Sequence, residues 1–264
     1  MLRSSRVRRG SAALSSINRA SEVNTEFSAL VAAGELDASP RDLLEELLIE
    51  RMPVGAESVL DLGCGTGSLA IRVASEGHRV WGIDICDETV KEARRRAESA
   101  GATNATFLTL DAARLSEHFG PGAFDCIISV NALHHFFTRE VAEAIETCLR
   151  PGGQFIEVDT VNDYCIGLRG YFATLVLYDV LHPWWILSFV RRRGFRRVVR
   201  FYHQLQGMLR NRRWREHIQG EVRRRNVYSL PRYRAVFEAL FPGGTVARVF
   251  SYAVLAIYRR PPDE

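Results

Sequence analysis

The chain has 264 residues, 47% of them hydrophobic and 25% charged, with 9 prolines and 20 glycines. That balance excludes collagen-like, coiled-coil and wholly disordered chains, and the length allows one large domain or one domain carrying a substantial insertion. The net charge of +4 conceals an asymmetry, because residues 1–160 sum to −8 and residues 161–264 to +12.

A basic third on an acidic body admits nucleic acid, an anionic membrane surface or an anionic substrate, and equally a solvated basic face. Lys91 is the only lysine among 35 basic residues, so the arginine count alone proves little. The five cysteines, at 64, 86, 126, 148 and 165, form no Cys-x-x-Cys pair. Neither a zinc ribbon, an iron–sulfur cluster nor a disulfide framework is suggested, and a reducing, cytoplasmic setting is expected.

In chain order, residues 1–20 carry Arg3, Arg6, Arg8, Arg9 and Arg19 with no acid before Glu22. They are expected to be a disordered basic tail, a composition that overlaps with transit peptides; no apolar run suited to a secretory signal follows. N-terminal helices are expected over 21–56. Ser21 precedes an apolar pattern at Val23, Phe27, Leu30 and Val31. Ser39 and Pro40 then open a second helix whose buried stripe is Leu43, Leu44, Leu47 and Leu48.

From 57 to 160 strands and helices alternate, which argues for a doubly wound, mostly parallel α/β sheet covered on both faces. Strands are expected over 58–62, 79–83, 105–108, 124–129 and 154–158, and helices over 67–76, 87–100, 112–118 and 138–149. Asp87 is expected to cap the second of these helices and Gly101 to close it, while Pro151-Gly152-Gly153 stops the last one before a strand. Alternation ceases over 161–230, a helical insertion rich in aromatics and arginine. It resumes over 231–264 with a helix at 231–240 and strands at 245–250 and 253–258, joined tightly at Ser251-Tyr252.

The strongest chemical signal is Val59-Leu60-Asp61-Leu62-Gly63-Cys64-Gly65-Thr66-Gly67, a strand running into three alternate glycines at a helix start. Glycines there let the backbone turn tightly and approach a ligand. A nicotinamide or flavin fingerprint would need Gly-x-Gly-x-x-Gly, but Ser68 follows Gly67, so the dinucleotide spacing fails. Asp84 ends the second strand and Asp111 follows the third. With Asp61 they can line one crevice at the carboxyl ends of the strands. A carboxylate at the second strand end can accept both ribose hydroxyls, and one after the third can accept an adenine amino group.

These pieces resemble the class I S-adenosylmethionine-dependent methyltransferases. The matching stretches are VLDLGCGTG at 59–67, WGIDIC at 81–86, FLTLDA at 107–112, FDCIISVNALHHF at 124–136 and LRPGGQFIEVD at 149–159. The resemblance implies a seven-stranded sheet with the last strand antiparallel and S-adenosyl-L-methionine as cofactor. It places the methionine part on Gly63, Cys64, Gly65 and Gly67, with Asp61 toward its amino group. The ribose falls to Asp84 beside Ile85, and the adenine to Asp111 with Ala112. Ser129 to Asn131 would close the site.

For the acceptor, His134 and His135 lie in the segment that borders the transferable methyl in similar enzymes. Either is expected to act as base on a hydroxyl, or else to pack and shape the pocket. Ser129-Val130-Asn131-Ala132 stands where base-amino methyltransferases carry an Asn/Asp/Ser-Pro-Pro-aromatic motif, and no Pro-Cys dipeptide is present. No metal is expected, because Ser129 and Asn131 stand where a magnesium-assisted site would want carboxylates.

The stretch 171–190 has roughly the 20 residues needed to span a bilayer. Its central Asp179 would cost about 3 kcal/mol on an insertion scale. It is expected to be a pair of cap helices over the acceptor pocket or, alternatively, part of a peripheral membrane contact through 171–193. The expected function is methyl transfer to a small hydrophobic or aromatic acceptor, most readily at oxygen. The alternatives are a lipid or isoprenoid-quinone methyltransferase, an RNA methyltransferase and a non-catalytic cofactor-binding module. The expected partners are the small-molecule acceptor and no DNA, and a homodimer is compatible with the sequence.

Overall fold

The computed structural model describes residues 39–135, 137–161, 228–250 and 253–263. The basic tail, the helix expected to start at Ser21, residues 162–227 of the insertion, Cys165, Phe136 and the Ser251-Tyr252 connection lie outside the described residues.

Seven strands form one sheet: β1 (Ser58–Leu62), β2 (Arg79–Asp84), β3 (Ala105–Thr109), β4 (Phe124–Val130), β5 (Leu149–Thr160), β6 (Thr245–Phe250) and β7 (Ala253–Arg259). Their order is β3-β2-β1-β4-β5-β7-β6. β1 to β5 run parallel, while β7 pairs antiparallel with both β5 and β6. The sheet is thus the expected doubly wound one with an antiparallel last strand. Its order reverses between β1 and β4, and such a switch point opens a crevice beyond the carboxyl ends of the strands.

β1 is buried at all five positions, which is why it is apolar apart from Ser58 and Asp61. Alternate side chains feed two cores. Val59, Cys126, Ile128, Ile156 and Val158 meet α1 (Ser39–Ile49), α2 (Ser68–Ser75) and α3 (Asp87–Ala100) through Leu44, Leu48, Leu69, Val73, Val90 and Ala93. Leu60, Leu62, Ile127 and Phe155 meet α4 (Leu115–Phe119), α5 (Arg139–Cys148) and α6 (Leu230–Leu240) through Leu115, Val141, Ile145 and Phe237. Each large apolar side chain fully buried in this way contributes roughly 1.5–3 kcal/mol. No helix among the described residues is long and apolar enough to cross a membrane.

Three local expectations need correction. Asp87 does not cap α3; Cys86 holds that position without a side-chain bond. Asp87 is the first helical residue, where its charge suits the helix dipole, and it binds Thr109 Oγ1 at 2.9 Å and Lys91 at 2.6 Å. The helix expected over 112–118 divides into a 3-10 turn, Ala112–Arg114, followed by α4. Pro151-Gly152-Gly153 does not precede β5 but lies inside it. The register with β4 shifts between Phe124↔Leu149 and Cys126↔Gln154, and Gly152 at φ 79 donates to Arg260 O at 3.0 Å. The extra residues are absorbed as an irregularity of the strand.

Candidate functional site

The loop after β1 is fastened to the end of β2. Gly63 N and Cys64 N both donate to Ile83 O at 2.9 Å, and Gly65 N donates to Asp84 Oδ2 at 2.9 Å. Cys86 N donates to Asp84 Oδ1 at 2.9 Å. Two backbone donors therefore orient the Asp84 carboxylate, and each oxygen keeps further lone-pair capacity.

Gly63, Gly65 and Gly67 all have positive φ, at 77°, 53° and 80°. A Cβ on Gly67 would sit 2.9 Å from Ala93 Cβ and from the Phe107 ring, whereas one on Gly65 would meet nothing within 4 Å. Gly67 is glycine for packing and conformation, while Gly65 turns its backbone toward open space. Thr66, between them, receives Arg96 Nη1 on its hydroxyl at 2.8 Å, which anchors the loop to α3. Cys64 is buried within the loop.

Asp61 is buried in β1, opposite Gly82 and Ile128 in register. Ile85, directly after Asp84, exposes 48% of its surface, an unusual display of a large apolar side chain. Asp111 caps the 3-10 turn by accepting from Ala113 N at 3.0 Å on Oδ1, and Ala112 behind it is buried. Leu110 N donates to Asp84 O at 2.9 Å, which holds the end of β3 beside that of β2. Asp111 is thus a turn cap located at the same sheet edge.

Asn131 is the only described residue other than glycine with positive φ, at 53°. This conformation costs roughly 1–2 kcal/mol for most residues and is best tolerated by Asn and Asp. It is held by Asn131 N on Val158 O at 2.9 Å and by Thr160 Oγ1 donating to Asn131 Oδ1 at 2.8 Å. Backbone strain so supported at a sheet edge marks a place to look for function.

The turn Leu133–His135 follows. His134 Nδ1 lies 2.7 Å from Asp159 Oδ1 and 3.0 Å from Oδ2, and His134 N donates to Oδ2 at 3.2 Å. Thr160 N also donates to Asp159 Oδ1, at 2.6 Å. Asp159 is wholly buried and the His134 side chain is 9% exposed. His135 is exposed, and its ring lies tilted against that of His134, with centroids 4.1 Å apart.

Glu157 and Asp159 share one face of β5, and Ser129 lies opposite Glu157 in register. Ser129 Oγ is buried with no hydrogen-bond partner among the described residues. Tyr233 Oη, from α6, donates to Glu157 Oε2 at 2.8 Å. Burial, and then the charge of Asp159, push the Glu157 carboxyl well above the ordinary glutamate range. Burial also pushes Asp159 upward, but His134 and the surrounding donors outweigh it and hold that carboxyl below its ordinary value. The two acids of the pair are thus pushed in opposite directions.

Sequence reasoning missed Asp159, Glu157 and Tyr233. The available signal was Glu157-x-Asp159 in an otherwise apolar strand, which puts two carboxyls on one buried face. Among the described residues no three His, Cys, Asp or Glu side chains are arranged to hold a metal ion.

The set at the ends of β1 to β3 fits a nucleoside ligand. It offers an oriented carboxylate for a diol, an exposed apolar wall, a second carboxylate for an amino group and a glycine backbone open to approach.

Comparison with known proteins agrees. Residues 59–153 match the model of a family described as a methyltransferase domain. An S-adenosyl-L-methionine-dependent Diels-Alderase of Talaromyces variabilis is 34% identical over 128 residues, 47% of this chain and 43% of that protein. A ubiquinone biosynthesis O-methyltransferase of Paracidovorax citrulli is 32% identical over 113 residues, 42% of this chain and 46% of that protein. The chain thus spans less than half the length of these curated relatives. In fold it is similar to the 1,6-didemethyltoxoflavin-N1-methyltransferase of Burkholderia thailandensis, with a TM-score of 0.54 at 16% identity over 92% of this chain and 89% of the other.

Proposed function

Because this chain carries a class I S-adenosylmethionine-dependent methyltransferase domain, we propose that it methylates a small hydrophobic or aromatic acceptor at oxygen. The cofactor supplies a methyl group on a cationic sulfur. In this reading Asp84 accepts the ribose hydroxyls, Asp111 and the Ala112 backbone take the adenine, and Ile85 forms an apolar wall. Gly65 presents open backbone to the methionine part, with Gly63, Cys64 and Gly67 completing the loop around it and Asp61 facing its amino group. Asn131 borders the site from the β4 side. The observation that carries the reading is the Gly65 N to Asp84 Oδ2 bond, which makes the glycine loop and the acid one preformed cradle.

Oxygen as the methylated atom is supported by the name of the P. citrulli relative and by His134, a proton acceptor at the same sheet edge. The choice of acceptor is left to the insertion at 161–230, whose residues 162–227 lie outside the described residues. A second reading follows from the T. variabilis relative, whose name pairs the same cofactor with a reaction other than methyl transfer. In that case the chain binds the cofactor and transfers no methyl group.

One experiment separates these. The purified protein is incubated with methyl-labelled S-adenosylmethionine and fractionated cell extract. Label in a small organic-soluble product supports the proposal, and label in membrane lipid or RNA replaces the acceptor class. Cofactor binding without label in any fraction favours the second reading.

A further inference from the structure

We propose that Asp159 is the positioning residue that makes His134, and not His135, the proton acceptor of this site. The inference rests on the reading above, in which the acceptor is a hydroxyl. Three donors converge on Asp159: His134 Nδ1 at 2.7 Å, the His134 backbone N at 3.2 Å and Thr160 N at 2.6 Å. The ring and the backbone of one residue are thus bound to one carboxylate, which fixes both the turn and the imidazole plane. A proton on Nδ1 shared with Asp159 leaves Nε2 as the atom that exchanges one, because in neutral imidazole one nitrogen donates and the other accepts. The paired carboxylate then stabilises the imidazolium as it forms.

The burial of the cluster argues against a purely structural role. Two carboxyls two residues apart on the buried face of β5 are unfavourable in an apolar layer, and apolar residues of similar size usually serve stability as well or better. Around His134 the described titratable groups are Asp159 and Glu157 from β5, Tyr233 from α6 behind Glu157, and His135 from the same turn. Glu157 and Tyr233 are both pushed well above their ordinary ranges by burial, whereas Asp159 is held below its ordinary value, so Asp159 is the acid in that buried set whose charged form the surroundings favour.

The step balances simply. The acceptor O–H bond breaks and its proton goes to His134 Nε2. The oxygen keeps the electron pair and forms the bond to the methyl carbon, and the carbon–sulfur pair leaves with the neutral thioether. The imidazolium returns its proton to water.

Two readouts test this, and one needs no acceptor. In protein labelled with 15N-histidine, the His134 ring is expected as the Nδ1-protonated tautomer, and in Asp159→Asn it takes up its second proton at lower pH than in wild type. A ring protonated on Nε2 in the wild-type protein, which requires no variant to fold, overturns the proposal. The second readout is the pH profile of label transfer to whichever acceptor fraction accepts methyl. Its acidic limb is expected to move to lower pH in Asp159→Asn and to stay in place in His135→Ala. Coincident limbs in wild type and Asp159→Asn, with cofactor affinity intact, also overturn it. A wild-type protein that transfers no label sinks the functional reading instead, while the ring titration still decides the pairing.

Discussion

The backbone N–H of Gly65 donates to Oδ2 of Asp84 at 2.9 Å, so the loop after β1 is shaped by the acid that ends β2. Asp84 also holds Cys86 N at 2.9 Å. Asp84→Ala removes both this support and the acceptors for a ribose diol. Charge-assisted bonds of this kind are worth about 1.5–3 kcal/mol each, so affinity for S-adenosylmethionine should fall roughly tenfold to hundredfold. Equilibrium dialysis with labelled cofactor measures this, and an unchanged affinity removes Asp84 from the cofactor site.

Gly65 and Gly67 should part company under mutation. Gly67→Ala forces a Cβ to 2.9 Å from Ala93 and Phe107 at φ 80, so thermal unfolding should show a loss of about 1–3 kcal/mol. Gly65→Ala meets no atom within 4 Å, and its cost is the positive φ alone, about 1–2 kcal/mol. Its larger effect should be on cofactor binding, because the added methyl occupies space where the ligand is to lie. Equal binding losses in the two variants, once normalised for stability, would contradict this division.

Glu157 should make the protein less stable as pH rises. Its carboxyl is raised in the folded state, so above the ordinary glutamate value the unfolded chain releases a proton that the folded chain keeps. The stabilisation is complete below that value and fades as pH climbs toward the folded one. Glu157→Gln keeps an oxygen for Tyr233 and removes the titration. Its melting temperature relative to wild type should therefore increase from pH 5 to pH 8, and parallel curves would show that Glu157 is ionised in the folded protein.

Asp125, at the opposite edge of the sheet, supplies a control. Its Oδ2 accepts from Glu57 N at 3.0 Å and from Ser58 N and Oγ at 2.8 Å, and its Oδ1 accepts from Arg150 Nη1 at 2.6 Å. Burial pushes this carboxyl up, but the Ser58 and Glu57 donors outweigh it and hold it below the ordinary range. Its contribution is therefore present above the unfolded aspartate value and is lost as pH falls through the folded one. Asp125→Ala should cost about 2 kcal/mol at neutral pH, less in acid, and leave cofactor affinity alone. Calorimetric unfolding across pH checks the first two points and dialysis the third.

The parts legible in the sequence are those governed by local rules. β1 at 58–62, α3 at 87–100 and the strands after Gly244 follow from apolar runs, helix period and glycine or proline stops, and they lie where expected. The cradle was legible because Gly63, Gly65, Gly67 and Asp84 are chemically distinctive residues at strand ends. The His134–Asp159 pair was not, since its members are 25 residues apart and meet only through the β4–β5 register. Tyr233 is more remote still, reaching Glu157 across 76 residues from a helix on one face of the sheet. Asp87 misled because a first-turn acid and a cap look alike in sequence, and only the backbone, extended at Cys86 and helical from Asp87, distinguishes them.

The most direct test is a crystal structure of the protein with S-adenosylhomocysteine, the demethylated product. The account predicts both ribose hydroxyls on Asp84, the adenine amino group on Asp111, and the homocysteine chain passing Gly63 to Gly67 with its sulfur facing the Asn131–His134 turn. A ligand bound elsewhere, or one whose ribose avoids Asp84, would contradict it.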